Sequence, residues 1–225
     1  MDYRELTKKT IVLDFDGTVC RLFANYDLQD TKRGLEKMLP EYGVDFSGYD
    51  DCFDVYRAIC SQIPELPRRT CALAAAEHII EQAECEAVDT STDIPGLDSF
   101  FTFCGTNHIR LGVATNNSPK CVLKYWKKKG LTPLPPIVGR DAFHTELLKP
   151  DPWSLNKVIE MLCVPKRDVL FIGDNPTDYE CAVAAQVVFL GIAATEKKRK
   201  RFETRNISTI LMKSYNELLI PNAIL

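Results

Sequence analysis

The sequence predicts an α/β fold: a parallel sheet with helices on both faces, interrupted near its beginning by a helical module. Three observations carry this. Short β-branched and apolar runs of the kind that make buried strands recur along the chain. From residue 94 onward they alternate with helical patterns, the order that parallel βαβ units produce. Between the first and second runs lies a helical stretch of about 70 residues, far longer than an ordinary connection.

The elements follow in order. Thr10-Ile11-Val12-Leu13 is the first strand. Residues 28–39, 49–63 and 68–87 read as helices, the third with Leu73, Ala76, Ile80 and Ala83 at helical spacing. Pro40, Pro64 and Pro67 separate the three, and no strand is expected among them. Leu111-Gly112-Val113-Ala114 is the second strand. Ser118 then offers an N-cap, Pro119 suits the first helical position, and Gly130 is a C-terminal stop. Ile137-Val138 is the third strand, and Asp151-Pro152 opens a helix by the same device. Residues 169–172 form the fourth strand, a helix runs through Cys181 to Ala185, and residues 187–190 form the fifth. The expected architecture is a Rossmann-like doubly wound parallel sheet core, residues 1–19 and 94–225, with a helical insert at 20–93. At about 150 residues per domain, the length corresponds to one and a half domains, which suits a core plus a smaller insert.

Composition excludes several classes. Hydrophobic residues make up 45% and charged residues 26%, which is globular rather than disordered or fibrous. A net charge of −3 gives no footprint for nucleic acid or an anionic membrane. The longest apolar stretch, residues 187–194, is far short of a membrane span. The nine cysteines are odd in number, no apolar signal segment opens the chain, and no Cys-x-x-Cys pair exists. The expectation is a reducing, cytoplasmic protein with neither a disulfide framework nor a zinc site.

Each strand ends in a distinctive polar group. Asp14-Phe15-Asp16-Gly17-Thr18 follows the first and Thr115-Asn116-Asn117 the second. Lys149-Pro150-Asp151-Pro152 follows the third, and Gly173-Asp174-Asn175-Pro176-Thr177-Asp178 the fourth. Open α/β sheets bind ligands outside the carboxyl ends of their strands, so these groups are expected to converge. Asp14, Asp16 and Asp174 are hard oxygen donors that suit Mg²⁺, and packed together they would repel without a cation. Thr115 and Lys149 can hold a phosphate as hydroxyl donor and point charge. An aspartate can attack phosphorus, and a second carboxylate can protonate the leaving oxygen and later activate water.

These four motifs, in this order, resemble those of the haloacid dehalogenase (HAD) superfamily of phosphohydrolases, over about residues 8–20 and 94–192. The helical insert sits where members with an α-helical cap carry it, and Lys149-Pro150-Asp151-Pro152 is similar to the tetrad of phosphoglycolate-phosphatase-like members. The resemblance implies Asp14 as nucleophile and metal ligand. It implies Asp16 as acid/base, with its backbone carbonyl on the metal. Thr115, Asn116 and Lys149 would bind the phosphoryl group, Asp174 would complete the Mg²⁺ ligands, and Asp178 would support or join them. Dehalogenating members lack an acid at the position of Asp16, so its presence favours phosphate transfer. Three positions depart from the family pattern: Cys20-Arg21 stands where many capped members have Asp-Ser, Leu148 where a glycine often precedes the lysine, and Gln186 where a glycine commonly precedes the fifth strand.

The expectation is a Mg²⁺-dependent phosphatase acting on a small-molecule phosphomonoester, with neither nucleic acid nor membrane as partner. Two alternatives remain at this point. One is a phosphomutase, for which His78 would be the cap histidine; His108 and His144 have no family role. The other is a non-catalytic binding protein. Arg21, Lys32, Arg33, Arg57, Arg68, Arg69 and His78 are cap side chains with the chemistry to contact substrate. The basic run 197–201 reads as an exposed helix or loop rather than a targeting patch.

Overall fold

The computed structural model describes residues 9–219; residues 1–8 and 220–225, which the sequence assigns to the core, lie outside the described residues. The chain opens with β1 (Thr10–Leu13) and the two-residue β2 (Cys20–Arg21). Then come α1 (Gln29–Met38), α2 (Val55–Gln62) and α3 (Leu66–Ala87), followed by β3 (Thr92–Asp93). The remainder is α4 (Leu97–Thr106), β4 (Leu111–Ala114), α5 (Pro119–Lys128), β5 (Ile137–Val138), α6 (Trp153–Leu162), β6 (Val169–Gly173), α7 (Pro176–Ala185) and β7 (Val188–Ile192). It closes with α8 (Glu196–Thr204), β8 (Leu211–Met212) and α9 (Tyr215–Leu218).

Among the described residues the main sheet has six strands in the order β5-β4-β1-β6-β7-β8, every neighbouring pair parallel. β1 is central, with Leu13 opposite Val113 on one side and Ile172 on the other. Period-two alternation sends its side chains to two cores. Ile11 and Leu13 join Phe100, Val122, Tyr125 and Tyr215 under α4, α5 and α9. Val12 joins Leu155, Val158, Phe171, Cys181 and Ala182 under α6 and α7. Both faces are therefore covered, as the near-continuous apolar strands require. Helices α1–α3 pack on one another around Leu35, Val55, Ile59, Leu73, Ala76 and Ile80, with Ala142 of the core against them.

Several expected boundaries move, each for a local reason. The helix expected at 49–63 begins only at Val55, because Asp51 accepts the Phe53 N–H and starts a separate turn over Cys52–Asp54. Pro67 does not separate helices; it sits in the first turn of α3, where no N–H donor is needed. The fifth strand runs Val188–Ile192 rather than 187–190, because the Val187 N–H is spent on the Ala182 carbonyl while Gln186 takes φ 61° to end α7. That backbone explains why glycine suits position 186. Ser118 caps α5 by accepting from Lys120 N, with Pro119 in its first turn and Gly130 at φ 64° just past its end. The sequence did not suggest α4, β8, or the antiparallel pair β2–β3, in which Cys20 faces Asp93 and ties the two ends of the insert together.

Candidate active site

The carboxyl ends of β1, β4 and β6 and the loop after β5 open into one cavity of about 290 Å³. All seven residues singled out from the sequence line it: Asp14, Asp16, Thr115, Asn116, Lys149, Asp174 and Asp178. The insert contributes Phe23, Phe53 and Tyr56, and none of its named basic side chains nor His78. His78 is exposed on α3, so it is not placed to act on a ligand in the cavity.

At the cavity floor Lys149 Nζ lies 2.6 Å from Asp14 Oδ1, 2.5 Å from Asp178 Oδ1 and 3.3 Å from the Ala114 carbonyl. Burial alone would lower its pKa, but Asp14 and Asp178 outweigh it and the ammonium is held charged. The other Asp14 oxygen accepts from the Thr18 hydroxyl at 3.3 Å. Asp178 is fully committed: Oδ2 accepts from the backbone N–H groups of Asp174 and Asn175, completing a capping box at the start of α7. It thus fixes the loop that carries Asp174 and orients Lys149. Burial pushes its carboxyl up, with Lys149 pulling the other way.

Glycines permit this crowding. Gly17 has φ 87°, and a β-carbon there would lie 2.3 Å from Asp174 Oδ2. At Gly173 a β-carbon would lie 2.5 Å from that of Asp178. The Asp-x-Asp-Gly and Gly-Asp strings are therefore packing requirements as well as chemical ones.

Asp16 stands apart from the other carboxylates. Its Oδ1 accepts from the Leu22 backbone N–H at 2.8 Å, at the start of the insert. Burial raises its pKa to about 6, the Leu22 bond opposing and Asp14 adding. Thr115 is buried and exchanges hydrogen bonds with Asn117. The Asn116 amide braces the Lys149 main chain, accepting from Lys149 N at 2.9 Å and donating to its carbonyl at 3.3 Å.

The residue most hidden from sequence reasoning is Lys198. Its α8 is N-capped by Thr195, and Nζ lies 2.5 Å from Asp174 Oδ2 and 3.4 Å from the Gly17 carbonyl. Part of the basic run is thus a component of the site, while Lys197, Lys200 and Arg201 stay exposed. With all four ionised, Asp14, Asp16, Asp174 and Asp178 face the ammonium groups of Lys149 and Lys198, which leaves two negative charges uncompensated. Carboxylate oxygens of Asp14, Asp174 and Asp178 all lie within 4.8 Å of one another. Hard oxygen donors with a two-charge deficit fit a divalent cation such as Mg²⁺.

A second buried cluster borders the cavity. Arg140, two residues beyond β5, donates to Glu77 and Glu84 of α3 and to the Asn116 carbonyl at 2.8–3.0 Å. Its guanidinium sits 5.0 Å from the Tyr56 ring centroid. Glu84, fully buried, also accepts from Asn117 Nδ2 at 2.8 Å and Ser118 N at 2.9 Å. The same rule that pointed to Asp14 and Asp174, polar residues just past a strand end, would have pointed to Arg140.

An α/β sheet with an acid cluster at the carboxyl ends of its strands, beneath a helical insert, defines a class of hydrolase-like proteins. The family model of the haloacid dehalogenase-like hydrolases matches residues 55–192, and the chain belongs to that family. A phosphoglycolate phosphatase of Rhodospirillum rubrum is 34% identical over 94 residues, which are 41% of this chain and 38% of that protein. The matched part thus spans well under half of that relative. CbbY from Rhodobacter sphaeroides, solved with phosphate, superposes with a TM-score of 0.63 at 18% identity, covering 94% of this chain and 96% of that one. A HAD-superfamily hydrolase of subfamily IA, variant 1, from Geobacter sulfurreducens gives 0.57 at 19% identity, covering 95% of each chain. At such identities the structural likeness speaks for the fold.

Proposed function

We propose that this protein is a Mg²⁺-dependent phosphatase that hydrolyses a small phosphomonoester through an aspartyl-phosphate on Asp14. One observation carries the reading: the Asp14 carboxylate sits between Lys149 and the Asp174 loop, with Asp16, raised to about 6, on the side facing the insert. Mg²⁺ held by Asp14, Asp174 and the Asp16 carbonyl would neutralise the phosphoryl oxygens.

Asp14 attacks phosphorus in line while Lys149 and Thr115 hold the equatorial oxygens. Asp16 gives its proton to the leaving alcohol. Then, as carboxylate, it takes a proton from the water that cleaves the aspartyl-phosphate. A carboxyl titrating near 6 suits both steps at neutral pH. Residues 20–93 act as a cap, with β2–β3 as its base, and exclude water during the first step. A cytoplasmic setting belongs to the same reading and is supported by the nine unpaired cysteines; among the described residues no helix is long and apolar enough to cross a membrane. The name of the Rhodospirillum rubrum relative supports phosphate-ester hydrolysis.

Asp14→Asn tests the mechanism. Phosphate release from an aryl phosphate with Mg²⁺ should fall by at least about 10³-fold while the thermal melt stays intact. Retained turnover in the folded variant would overturn it.

A further inference from the structure

The two walls of the cavity differ in what they can offer a leaving group. Phe23, Phe53 and Tyr56 form the wall from the insert, with the Phe23 and Phe53 ring centroids 5.5 Å apart. Among the described residues the cations lining the cavity are Lys149 and Arg140, with Lys198 behind them, its Nζ on Asp174 Oδ2 and the Gly17 carbonyl. The Lys149 ammonium is committed to the reacting end of the cavity, beside Asp14, Asp178 and the Ala114 carbonyl. Arg140 has five N–H groups, and all five are taken. Nε–H bonds Glu77, one terminal nitrogen bonds Glu84 and the Asn116 carbonyl, and the other bonds Glu77 and Glu84.

We propose that this site selects a phosphomonoester whose leaving alcohol is uncharged and presents an apolar or ring face, and that Glu77 and Glu84 withhold Arg140 from substrate. The proposal rests on the phosphatase reading above and adds its substrate class. A second anionic group on the substrate, a carboxylate or another phosphate, would have to leave water beside the insert wall of Phe23, Phe53 and Tyr56, none of which carries a charge. It would find no N–H of Arg140 left to receive it, so its desolvation would go unrepaid. An uncharged ring or alkyl face would instead displace water from Phe23, Phe53 and Tyr56. The cavity, about 290 Å³, is shared between the phosphoryl group and the leaving alcohol.

Binding of non-hydrolysable phosphonates tests this independently of turnover. With Mg²⁺ and the full chain, benzylphosphonate should bind at least about 10-fold tighter than 3-phosphonopropionate by calorimetry. Equal or tighter binding of the carboxylate-bearing ligand would overturn the proposal. Phosphate release from phenyl phosphate by the same preparation reports separately on the phosphatase reading. Glu77→Gln removes one carboxylate from Arg140 and should narrow the benzylphosphonate preference by at least about 3-fold. An unchanged preference in a folded Glu77→Gln protein would overturn the role of Glu77. Phe53→Ala, in the wall from the insert, should narrow the preference by weakening benzylphosphonate alone; no change there would remove the aromatic wall from the account.

Discussion

Two buried charge clusters lie within one cavity's reach and differ in how their charges are satisfied. Around Arg140, each guanidinium N–H has an acceptor, and the carboxylates of Glu77 and Glu84 draw further donors from Tyr56, Asn117 and Ser118. Around Lys149, four carboxylates share two ammonium groups, and Asp16 and Asp174 are pushed up toward protonation by burial. The first cluster is closed by neutral dipoles and joins α3 to the core. The second is open and poised to take a cation and a phosphoryl group. Charge balance separates the two: one guanidinium faces two carboxylates whose oxygens also accept from neutral donors, whereas two ammonium groups face four carboxylates.

The sharpest way to break this contrast is Arg140→Met. It leaves Glu84, with no solvent exposure, and Glu77 facing each other without their cation. The expected loss is about 3–5 kcal/mol of unfolding free energy in a denaturant titration. Asp14→Asn, which relieves crowding among like charges, should leave stability unchanged or raise it. A loss under about 1 kcal/mol for Arg140→Met would show that the cluster does not clamp the insert.

The same contrast explains what the sequence could reveal. The open cluster comes from contiguous strings, Asp14 to Thr18, Thr115 to Asn117, Lys149 to Pro152 and Gly173 to Asp178. Each directly follows a β-branched run or sits beside a helix-opening proline, so strand-end logic reaches it. The closed cluster joins Arg140 to Glu84 and Glu77 across 56 and 63 residues of chain, and no local pattern encodes that pairing. Lys198 reaches the Gly17 carbonyl across 181 residues. In the sequence it is one lysine in a basic run, and only the turn of α8 distinguishes it from Lys197. The aromatic wall was equally hidden: the cap invited attention to its arginines, but long charged side chains stay on its solvated surface while Phe23, Phe53 and Tyr56 turn inward. The β2–β3 pair has two residues per strand, too few for alternation to register.

Metal linkage sharpens the comparison at intermediate scale. Asp16 titrates near 6 in the folded protein against 3.8 in the ordinary state, and Asp174 is also raised. A raised carboxyl makes the folded state bind more protons between those values, so stability falls as pH climbs through roughly 4 to 6 and stays reduced above. A divalent cation offsets that deficit only where the carboxylates are ionised. The melting-temperature rise on adding Mg²⁺ should therefore be larger at about pH 7.5 than at about pH 5; the gain in unfolding free energy at the higher pH approaches about 2.7 kcal/mol at roughly 100 times Kd. Differential scanning fluorimetry at the two pH values checks it. An equal or larger rise at the lower pH would mean that the deficit is not at these carboxylates.

The smallest effect concerns Lys198, which belongs to the open cluster yet already neutralises part of it. Its ammonium contacts Asp174 Oδ2, the oxygen closest to the Gly17 backbone, and shares the electrostatic work of a bound cation. Lys198→Met should tighten Mg²⁺ binding by at least roughly fivefold, about 1 kcal/mol, the scale of repulsion between charges about 4 Å apart under water-like screening. Isothermal titration of Mg²⁺ into wild type and variant measures this directly. Weaker binding in the variant would instead assign Lys198 to positioning Asp174, with the orientation of one carboxylate outweighing the repulsion of one ammonium.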